Sequence, residues 1–385
     1  MPRHVYIDYN ATTPIREEVK ETLEAAYDLF GNASSMHASG RIARARIEEA
    51  RASVGRLIGA PALSIMWTSG GSESNNTVFQ TMRERANDQK NEIITTAIEH
   101  PCVLNSAKFL QSLGFTVHFL PVDSTGNIKW DIFESLLNEK TLCVSVMTAN
   151  NEIGTIQDIK AVTRKAKEYG AFVHTDAVQA VGKIPVNVEE LGVDYLTLSA
   201  HKLYGPKGVG ALYVKKGAPL LPLVHGGHQE DGKRAGTYNN AGIIGFGKAA
   251  ECAVHDIPYY GSTVLALRNK LRDGLSGAIP TIKINGHPTD VLPNTLNISF
   301  PGAEGESILL AMDLIGIEAS TGSACASGSL DPSHVLLAIG SGAENAHGSI
   351  RFSLGKYTTH EDIEYIIESV PPIIARLRSM STLTS

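Results

Sequence analysis

The sequence predicts an α/β fold: a large domain on a mostly parallel sheet, followed by a smaller α+β domain. Three observations predict it. From about residue 16 to 255, apolar runs of strand length alternate with stretches of helical spacing, the pattern of a parallel sheet covered by helices. Several of those runs end in polar clusters, and ligands of such sheets bind beyond the carboxyl ends of the strands. The rhythm then changes after "VHDIPYYGS" (254–262), where a second unit begins.

Taken in order, residues 15–30 (IREEVKETLEAAYDLF) and 40–59 (GRIARARIEEARASVGRLIG) place apolar residues at helical spacing among charges. Strand candidates follow at 64–69 (SIMWTS), 92–98 (EIITTAI), 116–122 (TVHFLPV), 142–150 (LCVSVMTAN), 171–177 (AFVHTDA), 195–200 (YLTLSA) and 210–214 (GALYV). Helical stretches such as 159–170 (IKAVTRKAKEYG) separate several of them. Beyond residue 262 a helix is expected over 263–275. Apolar segments follow at 281–288, 294–302 and 307–320, and a last helix over 360–380.

At 385 residues the chain is long enough for at least two domains. Its net charge of −6 argues against a nucleic-acid binder, which shows a basic surplus or stripe. No apolar run approaches the roughly 18 residues of a membrane helix. The amino terminus lacks the apolar core of a secretory signal. The four cysteines, Cys102, Cys143, Cys252 and Cys325, are far apart and form no C-x-x-C pair. That is neither a disulfide framework nor a zinc ribbon, and it fits a reducing cytoplasm.

Lys202, in "LSAHKLYGPKGVGALYV", follows an apolar strand and adjoins His201. A lysine usually sits solvated at the surface. A partly desolvated one loses its charge more easily, which suits Schiff-base chemistry with a cofactor such as pyridoxal phosphate. That cofactor also needs a carboxylate to keep its ring nitrogen protonated. Asp176, at the end of a strand in "VHTDAVQA", can serve as one or can simply cap a helix; Gln179 lies one turn on. "TSGGSESNN" places Gly71 and Ser72 at a helix start, an anion site by geometry and dipole, though such turns are common. Ser199 and His201 can complete that cup. His100 can stack on a ring or serve only the structure.

Cys325 lies in "STGSACASGS", among small residues that offer little cover, with His334 the nearest basic group in the sequence beyond it. An accessible cysteine acts as a nucleophile only as the thiolate; a structural cysteine is the alternative. Arg351, which begins an expected strand in "GSIRFSLGKYTT", can clamp a substrate carboxylate with its fork of donors, or it can form an internal salt bridge.

On these residues the chain resembles the cysteine desulfurases of the NifS/IscS type, within the class V aminotransferase-like, fold-type I enzymes that use pyridoxal phosphate. The motifs run in order along nearly the whole chain: "YIDYNATTP", "GNASSMHASGR", "TSGGSESNN", "TTAIEHPCVL", "ANNEIGT", "VHTDAVQAVGKIPV", "LSAHKLYGPKGVGALYV", "HGGHQEDGKRAGT", "LPNTLNISFPG", "GSACASGSLDPSHVL" and "SIRFSLGKYTT". The resemblance implies a large cofactor-binding domain over 16–255, and a small domain of 1–15 and 256–385 that carries a mobile cysteine loop. It implies that Lys202 holds the cofactor covalently, Asp176 partners its ring nitrogen and Gln179 its ring hydroxyl. His100 then stacks on the ring and moves protons, and Gly71, Ser72, Ser199 and His201 hold the phosphate. Thr237 of a second subunit would add a phosphate contact, which implies a homodimer. Asn151 would lie near the ring hydroxyl and the substrate. Arg351, with Asn10 and Asn32, would bind the substrate carboxylate, and Cys325 would become the persulfide.

The implied reaction takes sulfur from L-cysteine, gives L-alanine and passes the persulfide to an acceptor or an iron–sulfur scaffold protein. That acceptor would serve iron–sulfur cluster assembly or thiolation. No resident metal is implied, although Cys325 could lend a ligand to a cluster shared with a scaffold. "SACASGS" is similar to the longer-loop subgroup, and the R-x-G-x-x-C arrangement of the other subgroup is absent. Tyr9, Thr148 and His228 depart from the usual residues. The rival readings are a selenocysteine lyase, another class V aminotransferase-like enzyme, and a catalytically silent scaffold partner.

Overall fold

The structure, a computed structural model, describes residues 4–321 and 332–380. The chain opens on β1 (Val5–Tyr6), then runs through helices α1 (Glu17–Tyr27) and α2 (Ala38–Leu57) to β2 (Ile65–Thr68). Next come α3 (Gly71–Arg85), β3 (Glu92–Thr96), α4 (Pro101–Ser112), β4 (Thr116–Leu120), α5 (Trp130–Leu136), β5 (Thr141–Ser145), α6 (Ile159–Glu168) and β6 (Phe172–Asp176). The short α7 (Val188–Leu191), β7 (Tyr195–Ser199) and β8 (Gly210–Val214) complete the main sheet. Beyond it stand α8 (Asn240–Tyr259), α9 (Leu265–Ala278), β9 (Lys283–Asn285), β10 (Thr295–Ser299), α10 (Gly305–Asp313) and β11 (Ile317–Glu318). The last elements are α11 (His334–Ala338), α12 (Ala343–His347), β12 (Ser349–Ser353) and α13 (His360–Met380).

The main sheet has seven strands in the order β2-β8-β7-β6-β5-β3-β4. Only β8 runs against its neighbours. The others are parallel, so the carboxyl ends of β2, β3, β5, β6 and β7 all open on one edge. Strand alternation sorts side chains to two faces. Ile65, Trp67 and Tyr213 join the core under α2 and α8, whereas Met66 and Leu212 join Val78, Phe79 and Val103 of α3 and α4. A sheet buried on both faces explains why its strands read as unbroken apolar runs.

The second unit is a three-stranded antiparallel sheet, β12-β10-β9, packed with α9, α10 and α13. Val5, Ile7 and Tyr9 belong to its core, because β1 pairs with β11. The connection to it differs from the sequence expectation. Instead of a separate helix over 263–275, α8 runs through a π turn, Tyr260–Val264, directly into α9. Pro258, which cannot donate to the carbonyl four residues back, lies just before the wide turn. The later sequence is also not confined to the second unit. Leu292 packs into the main core, and α11 packs on Ile98, Met147 and Ile153 at the strand ends. Among the described residues, no helix is long and apolar enough to cross a membrane.

Candidate active site

Five chain segments leave the carboxyl edge of the sheet and converge. After β2 the backbone turns at Gly70, with φ of 154°, a conformation that favours glycine, and enters α3. Gly210 of β8 passes close beneath: a Cβ on it would stand 2.6 Å from Gly70 Cα and 2.9 Å from the Leu198 carbonyl oxygen. Gly71 and Ser72 thus form the first turn of a fifteen-residue helix whose amide groups point out of the sheet. Ser199, at the end of β7, lies alongside, with its Oγ 3.9 Å from where a Gly70 Cβ would be. His201 Nδ1 is 3.2 Å from Thr12 Oγ1, and burial pulls its imidazole down to about 4, so it is neutral. Thr237 is exposed and shares a cleft with Thr68, Ser69, Gly208 and Arg234.

After β3, His100 caps α4. Its Nδ1 accepts from Cys102 N–H at 3.3 Å and stands 3.0 Å from Cys102 Sγ. An acceptor role for Nδ1 puts the proton of the neutral ring on Nε2. Burial lowers the imidazole pKa below its ordinary value, which favours that neutral form. Asn75 Nδ2 donates to Cys102 Sγ at 3.2 Å and to Asp176 Oδ2 at 2.7 Å. A row of contacts therefore joins Asp176, Asn75, Cys102 and His100. Val178 N–H donates to Asp176 Oδ1 at 3.0 Å, so both carboxylate oxygens of this buried side chain are fixed.

Lys202 leaves the short helical turn after β7, and its Nζ donates to the carbonyls of Asn10 at 2.5 Å and Ala11 at 2.7 Å. Asn10 is the hub of the site. Its carbonyl also accepts from Gln179 Nε2 at 2.9 Å. Its Oδ1 accepts from Lys183 Nζ at 3.1 Å and Asn294 Nδ2 at 3.0 Å. Its Nδ2 donates to the Asn151 carbonyl at 3.1 Å and Thr295 Oγ1 at 2.9 Å. An amide so engaged has no capacity left for a substrate carboxylate. Lys183 Nζ also donates to Gln179 Oε1 at 2.8 Å. Burial holds this amine well below the usual lysine range, with Lys202 and Arg351 acting in the same direction.

Arg351 is the middle residue of β12 rather than its first. Its Nη1 donates to the Asn151 carbonyl at 3.2 Å, and its Nη2 pairs with Asp8 Oδ1 at 2.6 Å. The internal salt bridge is thus present, and it lies in the site rather than away from it. Asn32 lies apart: it is exposed between α1 and α2, and its Oδ1 accepts from Ser34 N–H at 2.9 Å. Cys325 lies outside the described residues. The described residues before it run to Thr321, next to Ser320, which bonds to the backbone of Arg351. Those after it begin at Pro332, and Ser333 Oγ donates to Glu152 Oε2 at 2.5 Å.

Sequence reasoning passed over Asn75, Cys102, Lys183 and Asp8, and read Glu99 and Glu152 only as members of polar strand-end clusters. Their shared signal is a polar residue inside a motif whose neighbours were assigned. Both glutamates are buried, which pushes the Glu99 carboxyl up to about 8 and the Glu152 carboxyl up to about 7. Among the described residues, no group of three or more His, Cys, Asp or Glu side chains could hold a metal ion.

Taken together, a lysine amine, a fixed buried carboxylate, a neutral imidazole, a helix amino terminus and a buried guanidinium gather around the carboxyl edge of the sheet. They offer an amine for covalent attachment, a partner for a cationic ring nitrogen, an anion cup and a carboxylate contact. Residues 5–366 match the aminotransferase class-V family. The chain is 50% identical over 382 residues to the cysteine desulfurase IscS of Dictyoglomus turgidum, covering 99% of this chain and 97% of that protein. It is 46% identical over 379 residues to the cysteine desulfurase NifS of Azotobacter vinelandii, covering 98% and 94%. Among solved structures, a NifS-like protein superposes with a TM-score of 0.92 at 41% identity, covering 97% of this chain and 100% of the other.

Proposed function

The chain belongs to the aminotransferase class-V family and is a cysteine desulfurase, and on that premise we propose how its residues share the work. The residues at the sheet edge fit pyridoxal phosphate. Lys202 would hold it covalently, Asp176 would pair with its ring nitrogen, and the first turn of α3 with Ser199 and His201 would take its phosphate. When bound, that cofactor supplies an electron sink that makes the bond between Cβ and sulfur of L-cysteine breakable. The observation that carries the assignment is the Asp176 carboxylate at the end of β6, buried 2.7 Å from Asn75 Nδ2 and with no basic side chain bonded to it among the described residues. A carboxylate in that setting calls for a cationic partner.

The chain's own groups then divide the steps. Arg351 orients L-cysteine by its carboxylate, and Asn151 lines the same wall. The Lys202 amine, once released to act as a base, takes the Cα proton and returns protons to carbon. His100, neutral and protonated at Nε2, donates rather than accepts at the ring face. The Cys325 thiolate forms a bond to the substrate sulfur while the bond between sulfur and Cβ breaks. The carbon part takes up a proton and leaves as L-alanine, and the sulfur stays as a persulfide. A protein thiol acceptor or an iron–sulfur scaffold then removes it by thiol exchange. We place this chemistry in the reducing cytoplasm, in a homodimer whose second copy lends Thr237.

The test is alanine release from L-cysteine in the presence of a reducing thiol, comparing wild type, Cys325→Ala and Lys202→Ala. Wild type should release alanine and sulfide in equal amounts. Cys325→Ala should stay yellow and release neither, and Lys202→Ala should lose at least about a thousandfold in rate. Equal alanine release by wild type and Cys325→Ala would remove Cys325 from the chemistry.

A further inference from the structure

Arg351 is a deeply buried charge: its side chain is 2% exposed, and its Nε is buried without a hydrogen-bond partner among the described residues. One N–H of each terminal nitrogen is already engaged, on Nη1 by the Asn151 carbonyl at 3.2 Å and on Nη2 by Asp8 at 2.6 Å. Glu152 and Lys183 are close enough to interact electrostatically with it. A substrate carboxylate that takes the remaining N–H groups therefore lies beside a second carboxylate on the same guanidinium. Two carboxylates so close repel each other, and the repulsion is relieved when one yields. Asp8 is the one that can: its side chain is 18% exposed and lies just after the two-residue strand β1, whereas Arg351 is held in the middle of β12.

Resting on the reading of Arg351 given above, we propose that Asp8 is an internal competitor of the substrate α-carboxylate. Before substrate binds, it neutralises a guanidinium that would otherwise be buried without a counter-charge. On binding, the α-carboxylate displaces it, and one ion pair is exchanged for another. Asp8 is thereby a specificity-determining residue. It weakens binding of every ligand through the carboxylate contact, and an amine lacking a carboxylate cannot displace it.

The experiment titrates L-alanine, and separately ethylamine, into cofactor-loaded wild type and Asp8→Asn, following the cofactor absorption band at equilibrium. Removing the competing charge should tighten L-alanine binding by about three- to tenfold, the range of a partly buried ion pair. Ethylamine binding should not change. Weaker L-alanine binding in Asp8→Asn would overturn the proposal, because Asp8 would then be orienting Arg351. An equal shift for both ligands would overturn it as well. Asp8→Ser, which also removes the charge, carries the same test if the asparagine variant does not fold. A wild type that releases no alanine from L-cysteine sinks the desulfurase reading. A wild type that does, with an Asp8→Asn enzyme that binds alanine no more tightly, sinks only the role of Asp8.

Discussion

Burial without a counter-charge delays the ionisation of Glu99. Its Oε1 accepts from Thr96 Oγ1 at 2.7 Å and Met147 N–H at 2.8 Å, but its Oε2 is buried with no partner among the described residues. The carboxyl moves from 4.5 to about 8. Below 4.5 the folded and unfolded forms are both protonated, and Glu99 adds no pH dependence. Between 4.5 and about 8 the folded protein keeps a proton that the unfolded chain has lost, so stability falls as pH rises through that window. Glu99→Gln should flatten this slope: the loss in melting temperature from pH 6 to pH 8 should be smaller than in wild type. A slope equal to that of wild type would mean that Glu99 ionises normally. From the sequence, Glu99 was visible only as a polar residue at a strand end. Its partners Met147 and His334 of α11 come from positions far along the chain.

At the scale of elements, the site depends on β8 lying tightly under the turn between β2 and α3. Gly210 is the contact point, and a methyl group there would meet backbone atoms rather than a side chain that could move. Gly210→Ala should therefore displace the first turn of α3, where the cofactor phosphate would sit. The expected cost is about 1–3 kcal/mol in stability, with weaker retention of pyridoxal phosphate on dialysis. An alanine variant that melts and retains cofactor like wild type would show that the turn can shift freely. The motif "TSGGSESNN" announced a helix start in the sequence. That a glycine some 140 residues later sits beneath it follows from the strand order of the sheet, which no local pattern encodes.

Across the whole molecule, tyrosines tie the segment after Lys202 to the core of the second unit. Tyr204, two residues beyond Lys202, has its hydroxyl 2.6 Å from that of Tyr260 in the π turn, and accepts from Lys356 N–H at 2.6 Å. One hydroxyl thus ties the lysine segment to the connecting helix and to the second unit. Tyr260→Phe leaves the Tyr204 hydroxyl with one partner fewer in a buried setting. Unfolding by denaturant should show a loss of about 1–3 kcal/mol. A change below about 0.5 kcal/mol, the range of an ordinary surface substitution, would mean that this contact does not couple the units.

The sequence by itself determined the α/β class and the strands of the main sheet, and it brought Lys202, Asp176, His100 and Arg351 forward as candidates. It could do so because strand periodicity and motif spacing are local. The structure alone decided that Asn10 is saturated by protein partners and that Asn32 lies apart. It also decided that α8 runs unbroken into the second unit, and that Asp8 holds Arg351. Each of these depends on which side chains meet across the fold. A residue's hydrogen-bonding capacity is written in the sequence, but what consumes that capacity is set by neighbours brought together from hundreds of positions away.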